Sequence, residues 1–323
     1  MHVFRRLHHQ ALAARNALTI GNFDGVHRGH QAMLRHVIQA AREHKLVPTV
    51  LTFEPHPRDF FATQAGSPQH APAHISTLRD KLCALRDVGI EQAVVLRFDH
   101  RLAALSAFEF VTTIIHQGLH AQYVLVGDDF RFGARRAGDF SLLTAMGSSL
   151  GFIAEQMPSV TETGQRISSS AVRDALRVGD METAHTLLGR PYAISGHVLH
   201  GAKLGRQLGF PTLNLGFDHA RPALAGVFVA RVHGLSAEPL AGVASLGTRP
   251  AVEANGRLLL ETHVFDWTGD AYGKLIQVEL LHKLRDEAHY PDLDRLTAAI
   301  RQDADQARAW FSQLARQTTR DRI

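Results

Sequence analysis

The sequence predicts two domains of different class: an α/β domain with an open, doubly wound parallel sheet, then an antiparallel six-stranded β-barrel with a C-terminal helix. In the first half, short apolar runs alternate with stretches whose apolar residues have helical spacing. After about residue 186, strand-like runs follow one another, separated by Gly, Pro and Asn, with no helical pattern between them. This change of rhythm predicts domains of residues 1–186 and 187–323.

The first domain contains apolar runs suited to buried parallel strands, at residues 17–21, 47–53, 92–98, 121–127 and 152–160. Segments with helical spacing lie between them, at residues 30–44, 77–89 and 107–118. Ser106 and Glu109 form a candidate capping box at the start of the last helix. Strands that alternate with helices favour a parallel sheet.

The second domain contains six strand-like runs, at residues 197–201, 211–217, 226–232, 240–247, 258–267 and 274–284. Closely spaced strands of this kind indicate an antiparallel barrel or sandwich. Residues 293–317 follow with the periodicity of a long amphipathic helix.

The composition is ordinary for a folded soluble protein, with 45% hydrophobic and 20% charged residues in 323. Lys and Arg number 35 against 31 Asp and Glu, and they are scattered, which argues against a nucleic-acid partner. No apolar run approaches the roughly 18 residues of a membrane span. The opening MHVFRRLHHQ lacks the apolar stretch of a secretory signal, and Cys83 is the single cysteine. We expect a cytoplasmic protein with no membrane partner, as a monomer or weak homo-oligomer.

A glycine-rich turn with two histidines follows the first buried strand, in the stretch GNFDGVHRGH from Gly21 to His30. A helix is predicted to begin at or near His30, and a helix N-terminus attracts phosphate through its unpaired N–H groups. The interleaved Gly25 and Gly29 let backbone and phosphate approach closely. His27 and His30 are therefore candidates to bind a triphosphate. The alternatives are surface histidines or a zinc pair, and no third zinc ligand is evident at local spacing.

The turn resembles the signature of the nucleotidylyltransferase superfamily. The ordered motifs that follow it are similar to those of bacterial bifunctional riboflavin kinase/FAD synthetases, over roughly residues 15–310. These motifs lie at residues 53–57, 127–133, 167–173, 201–214, 226–228, 247–250, 261–266 and 272–273. The sequence departs from the common family pattern at Ser170, Leu213, Phe228 and Ser245, where Thr, Ala, Tyr and Asn are usual. Ser170 keeps the hydroxyl and Phe228 the ring, and Leu213 is expected to face the side opposite its functional neighbours.

For the first domain, the resemblance implies FMN adenylyltransferase activity, in which His27 and His30 hold ATP phosphates while FMN attacks. Arg173 is expected to contact the leaving pyrophosphate. Further candidates for nucleotide or phosphate binding are Gly21, Asp24, Gly25, Gly29, Asp129, Ser168, Ser169 and Ser170. Alternatively, the three serines and Arg173 have a purely structural role, as a helix cap beside a surface arginine. His56, between two prolines, is as easily structural as catalytic.

For the second domain, the resemblance implies riboflavin kinase activity with ATP as co-substrate and Mg²⁺ as cofactor. Gly201, Lys203, Gly205 and Arg206 form a flexible basic loop suited to phosphates, although it is not a Walker-type loop. Thr212 and Asn214 share one strand face, and their oxygens are candidate Mg²⁺ ligands.

Glu261 is the candidate general base, because the family's catalytic glutamate occupies this position of the E-x-H-x-F-D motif. Strand periodicity alone leaves open an outward-facing residue at a sheet edge.

The sequence also leaves other functional classes open. The chain could retain one activity and use the other domain as a flavin-binding regulator, or it could be a flavin-sensing or RNA-binding protein that reuses the fold. Having both candidate site sets, His27, His30 and Arg173 with Thr212, Asn214 and Glu261, argues against a pure binder. A class I aminoacyl-tRNA synthetase would carry a K-M-S-K-S-like loop, which is absent.

Overall fold

The chain folds into two compact units, each with its own core. The structure, a computed structural model, describes residues 1–7, 9–162, 165–201, 204–217, 221–247 and 258–320. The first unit comprises Met1–Pro72 with Lys81–Ser168, and the second comprises Ala73–Asp80 with Ser169–Ile323.

A six-stranded, fully parallel sheet forms the centre of the first unit. Its strands are β1 (His2–Phe4), β2 (Asn16–Ile20), β3 (Val47–Glu54), β4 (Gln92–Arg97), β5 (Ala121–Gly127) and β6 (Ile153–Met157). Their order is β1-β4-β3-β2-β5-β6, so the chain builds outward from β2 in both directions. This confirms the predicted doubly wound sheet. A separate two-stranded pair follows, β7 (Thr161–Glu162) with β8 (Gln165–Arg166).

Helices cover both faces of this sheet because its strands are apolar on both. Leu18 belongs to one core cluster, whereas its neighbour Ala17 belongs to another on the opposite face. The helices are α1 (Arg28–His44), α2 (Pro57–Gln64), α3 (Leu78–Val88), α4 (His100–Ala104), α5 (Ala107–Glu109) and α6 (Phe140–Leu150). A π-helix (Phe110–Gly118) continues α5, and short 3₁₀ turns occupy Pro68–His70 and Ala134–Arg136. The capping box of Ser106 and Glu109 is present.

A closed antiparallel barrel of six strands forms the centre of the second unit. The strands are β9 (Tyr192–Leu199), β10 (Leu213–Phe217), β11 (Gly226–His233), β12 (Leu240–Gly247), β13 (Leu258–Val264) and β14 (Leu275–Arg285). They close in the order β10-β13-β12-β11-β14-β9. The predicted barrel is confirmed, as is the final helix, α10 (Leu293–Arg320).

Three further helices belong to the second unit: α7 (Ser169–Val178), α8 (Met181–Leu188) and α9 (Leu204–Gln207). Because α9 lies between β9 and β10, the prediction that nothing helical separates the strands is wrong there. A four-residue helix is too short to show an apolar period of 3.6 residues. Buried side chains of α7 and α8, among them Leu176 and Met181, share one core with the barrel.

Residues 73–80 belong to the barrel unit although they come from the middle of the first half of the chain. Ile75 is buried in the barrel's core cluster. The Asp80 carboxylate accepts hydrogen bonds from the Ser195 hydroxyl and from the Ser195 N–H, the latter at 3.3 Å. The two units are therefore interleaved in sequence.

Among the described residues, no helix has both the length and the apolar character needed to cross a membrane.

Candidate active sites

The glycine-rich turn after β2 follows a sharp backbone path. Phe23, Gly25 and Val26 all have positive φ, at 49°, 81° and 41°. Gly25 adopts that region readily, whereas Phe23 and Val26 do not, and these two side chains are buried at 1% and 0% exposure, so packing holds their backbone there. The Gly21 N–H donates to the Leu51 carbonyl at 3.1 Å, which fixes the turn to β3. The turn therefore lies at the carboxyl ends of parallel strands, where such sheets bind ligands.

His27 and His30 lie together at the N-terminus of α1. The His27 side chain is 5% exposed and caps the helix, since its Nδ1 accepts the His30 N–H at 3.2 Å. Because Nδ1 accepts, the neutral ring carries its proton on Nε2. The two rings stack with centroids 3.6 Å apart. A Cβ at Gly29 would lie 3.2 Å from the His27 ring, so a glycine there leaves room for it.

Asp24 lies inside the protein, 3% exposed, and does not project from the turn. Lys81, on α3, is also buried, and burial lowers the pKa of its ammonium group. The carboxylates of Glu54, Asp24 and Asp59 act in the opposite direction and raise it. The buried Asp24 and Lys81 and the half-buried carboxylates of Glu54 and Asp59 therefore partly compensate one another's charge.

Asp129 is exposed at the end of β5, and its carboxylate accepts a hydrogen bond from Arg166 at 2.9 Å. Its neighbour Asp128 accepts hydrogen bonds from the Ser159 hydroxyl and N–H at 2.8 and 2.9 Å, and the hydroxyl bond is the main cause that lowers the pKa of Asp128. Phe132, on the other side of Phe130 in sequence, is buried in a core cluster of the first unit.

The S-S-S-x-x-R motif spans the boundary between the compact units. Ser168 ends the first unit, whereas Ser169, Ser170 and Arg173 lie on α7 of the second. The Arg173 Nε–H donates to the Ala73 carbonyl at 2.6 Å. His56 caps α2, since its Nδ1 accepts the Arg58 N–H at 3.1 Å.

A cluster of phenylalanines at the carboxyl ends of β3 and β4 was missed by the sequence reasoning. Phe60 and Phe61 on α2 each make edge-to-face contacts with Phe98, with ring centroids 5.4 and 5.7 Å apart. Phe53 meets the same Phe98 ring at 5.8 Å. Phe61 is 55% exposed, so the cluster presents an aromatic surface to solvent. In the sequence, the adjacent pair Phe60-Phe61, directly after Arg58 and Asp59, could have indicated such an aromatic surface.

In the barrel, three polar side chains form a row across neighbouring strands. Asn214 on β10 and Ser245 on β12 both lie opposite Glu261 on β13. Directly opposite residues share a face, about 4.5–5.5 Å apart at Cβ. Along β13, Leu260, Thr262 and Val264 are buried, so Glu261 lies on the outer face. Leu213, by contrast, packs against the core, as expected from strand alternation.

Two glycines of the 201–214 motif, Gly201 and Gly205, allow close packing at and near this row. A Cβ at Gly201 would overlap the Asn214 side chain, and one at Gly205 would overlap the Phe210 carbonyl. Asn214 is 6% exposed, whereas Arg206 is exposed on α9. Lys203 lies outside the described residues.

Glu287, which follows β14, is a second carboxylate at the row and was not identified from the sequence. It accepts a hydrogen bond from the Ser245 hydroxyl at 3.2 Å. It also lies against Gly247, where any Cβ would overlap its carboxylate. Nothing local in the sequence indicates this contact, which joins residues 42 apart.

The donor set fits a hard cation held jointly with a phosphate. Thr212 and Asn214 offer neutral oxygens as ligands, and the Glu261 carboxylate, the candidate base, lies opposite Asn214. Among the described residues, no group of three or more His, Cys, Asp or Glu side chains could hold a metal ion unaided. The remaining ligands of a Mg²⁺ ion would have to come from a nucleotide and water, as is usual for this ion.

Comparison with known families matches the two halves of the chain to two different families. Residues 9–171 match the FAD synthetase family, and residues 188–311 match the riboflavin kinase family. A crystal structure described as a macrolide-efflux protein from Streptococcus pneumoniae is 28% identical, with a TM-score of 0.74, over 95% of this chain and 98% of that one.

Curated relatives match along nearly their full length. The bifunctional riboflavin kinase/FMN adenylyltransferase of Escherichia coli K12 is 44% identical over 96% of this chain and 98% of its own. The corresponding protein of Pseudomonas fluorescens is 42% identical over 96% and 97%, and that of Haemophilus influenzae 41% over 97% and 100%. With two family matches in the same order and this identity, the chain belongs to the bifunctional riboflavin kinase/FMN adenylyltransferase family.

Proposed function

We propose that the chain makes both flavin cofactors in sequence: riboflavin and ATP give FMN and ADP, then FMN and ATP give FAD and pyrophosphate. Kinase chemistry is assigned to residues 187–323 and adenylyl transfer to residues 1–186. The observation that carries the proposal is the row of Asn214, Glu261 and Ser245 on the barrel, within the residues that match riboflavin kinases.

In the kinase step, Glu261 orients the ribityl hydroxyl of riboflavin and accepts its proton as the oxygen attacks the terminal phosphorus of ATP. Thr212 and Asn214 would hold Mg²⁺, which would supply positive charge to neutralise the ATP phosphates. Gly201, Lys203, Gly205 and Arg206 are proposed to bind those phosphates. The opposite placement of Asn214 and Glu261 supports a nucleophile and a phosphate held side by side.

In the adenylyl transfer, the N-terminus of α1 and the His27 Nε2–H stabilise the ATP phosphates as the FMN phosphate attacks the α-phosphorus. The stack of His27 on His30 supports a shared role. Gly21, Asp24, Gly25, Gly29 and Asp129 are proposed for nucleotide binding. The roles of Ser168, Ser169, Ser170 and Arg173 at the leaving pyrophosphate are proposed on the motif alone.

The flavin ring of FMN is assigned to the aromatic surface of Phe60, Phe61 and Phe98. Flat aromatic ligands stack on such side chains, and an exposed phenylalanine loses unfavourable contact with water when covered. The surface lies at the same edge of the sheet as the glycine turn, since β3 is hydrogen-bonded to β2.

The chain is proposed to act in the cytoplasm, as a monomer or weak homo-oligomer, without nucleic acid. The single cysteine and the scattered basic residues support this proposal.

The deciding experiment is incubation of the purified chain with riboflavin, ATP and Mg²⁺, with FMN and FAD resolved by chromatography. We expect FMN to appear first and FAD to follow. Supplying FMN directly tests the second reaction alone. A chain that forms only FMN, or only FAD from added FMN, would retain one activity, and a chain that forms neither would overturn the proposal.

A further inference from the structure

His263 links the strand that carries Glu261 to the segment that carries the candidate Mg²⁺ ligands. It lies two residues after Glu261, on the same face of β13. Its Nδ1 is 2.9 Å from the carbonyl oxygen of Pro211, the residue before Thr212. A carbonyl oxygen can only accept, so the imidazole donates and carries a proton on Nδ1.

This hydrogen bond lies just beyond the last backbone pair between β10 and β13. Pairing between β10 and β13 ends at Leu213 opposite Thr262. Pro211 has no N–H, so the segment before β10 lacks one of the donors a strand would use there. The imidazole supplies a side-chain bond to this segment, next to Thr212.

The imidazole is itself held by its neighbours. The Phe210 ring meets it edge-to-face with centroids 5.4 Å apart, and the Phe265 ring does so at 5.7 Å. Rings on two sides restrict the side-chain rotamers of His263, so the direction of the Nδ1–H is defined before any ligand binds.

We propose that His263 is a positioning residue for the kinase step: by holding the Pro211 carbonyl, it fixes Thr212 beside Asn214 in the geometry that binds the metal–nucleotide complex. The inference rests on the proposed function, because it takes Thr212 and Asn214 as the metal ligands. His263 acts through Pro211 and need not touch substrate.

The test uses the full chain with two substitutions. His263→Asn keeps an N–H donor at the same number of bonds from Cα as Nδ1, whereas His263→Leu removes the donor and keeps an apolar side chain. For each, the half-saturating Mg²⁺ concentration and kcat of riboflavin phosphorylation are measured. Binding of Mn²⁺ in the presence of ADP is followed by electron paramagnetic resonance, which requires no turnover.

We expect His263→Leu to weaken Mn²⁺–ADP binding and raise the Mg²⁺ requirement about 10- to 100-fold, the usual range for loss of a residue that orients a metal ligand. At saturating Mg²⁺ its kcat should fall much less, and His263→Asn should stay within about threefold of the original protein in metal affinity. Unchanged metal binding in His263→Leu, or equal losses in the two variants, would overturn the inference.

Two controls separate the possible failures. If the original protein does not phosphorylate riboflavin, the proposed function fails, whatever the variants do. If His263→Leu does not fold, His263→Gln replaces it, since its donor lies one bond further from Cα and should lose the metal affinity that Asn retains. Equal affinity of the Asn and Gln variants then contradicts the inference.

Discussion

Glu261 and Asn214 occupy opposite positions on the paired strands β13 and β10. This register places a carboxylate beside an amide on the outer face of a barrel whose inner face is predominantly apolar. We therefore expect Glu261→Gln, which keeps the shape and removes the base, to lower riboflavin phosphorylation about 10²- to 10⁴-fold. The measurement is the initial rate of FMN formation.

Adenylylation of added FMN is the internal control, and it should be unchanged in the same variant. Kinase turnover within a few-fold of the original, in a folded Glu261→Gln protein, would remove Glu261 from the catalytic role.

The two functions of His27 can be separated by substitution. His27→Asn retains an oxygen that can cap α1, whereas His27→Ala removes the cap, which costs about 1 kcal/mol of stability. Both remove the Nε2–H donor, so both should lower FAD formation about 10²- to 10³-fold while FMN formation continues. Replacing both His27 and His30 with Ala should abolish FAD formation.

Rates of FAD formation and thermal unfolding midpoints are measured together. If the Asn variant forms FAD at nearly the original rate, capping is the whole role of His27 and its assignment to phosphate is wrong.

The role of the aromatic surface can be tested with a control residue, because the first unit has two similarly exposed phenylalanines, one inside the surface and one outside it. Phe61 is 55% exposed and Phe108 is 64% exposed, but only Phe61 belongs to the cluster at the end of β3 and β4. Phe61→Ala should raise the KM for FMN about tenfold, since an aromatic contact contributes about 0.5–1.5 kcal/mol beyond its buried area. Phe108→Ala should leave it unchanged, and equal effects of the two changes would exclude a flavin site at this surface.

The predicted kinase domain, residues 187–323, can be tested against a longer fragment. Residues 169–323 add α7 and α8, whose Val172, Leu176, Met181 and Ala184 are buried in the core shared with the barrel. Each large side chain buried there contributes about 1.5–3 kcal/mol. We expect both fragments to convert riboflavin to FMN and never to FAD, with a clearly higher unfolding midpoint for residues 169–323. Equal midpoints would show that the two helices do not stabilise the barrel.

The sequence predicted the elements with strong local patterns. The strands β2 to β5 are continuous apolar runs, and Ser106 with Glu109 satisfies a capping rule that needs only four residues. In contrast, β1 is three residues long and is defined by its pairing with β4, about 90 residues away, which no local pattern reports.

The same limit applies to the sites. The sequence predicted that Glu261 lies on a strand. Which face of the strand it occupies is determined by the pairing of β13 with its neighbours in the barrel. Glu287 and the link from His263 to Pro211 depend on contacts between distant segments. Such contacts follow from strand register, which local periodicity does not specify.

The half-buried carboxylate of Asp80 makes the stability of the barrel unit depend on pH, and the sign of this dependence follows from its environment. Burial raises the pKa of Asp80, and the hydrogen bonds from Ser195 and Thr77 and the charge of Arg190 only partly lower it. The folded state therefore binds this proton more tightly than the unfolded state. The stabilising effect is complete below the unfolded pKa, about 3.9, and is lost as the pH rises through the folded value. Asp80→Asn cannot ionise, so the stability of the original protein relative to this variant should fall as the pH rises above about 4.

Calorimetry of the full chain between acid and neutral pH measures this difference, with Ser195→Ala as the companion change. Without the Ser195 hydroxyl, the Asp80 carboxylate loses a hydrogen bond that favours its charged form, so its pKa should rise further. The loss of stability should then extend to higher pH than in the original protein. A relative stability that rises with pH above about 4 would show that Asp80 is stabilised as the carboxylate in the folded state, the opposite of the sign derived from its burial.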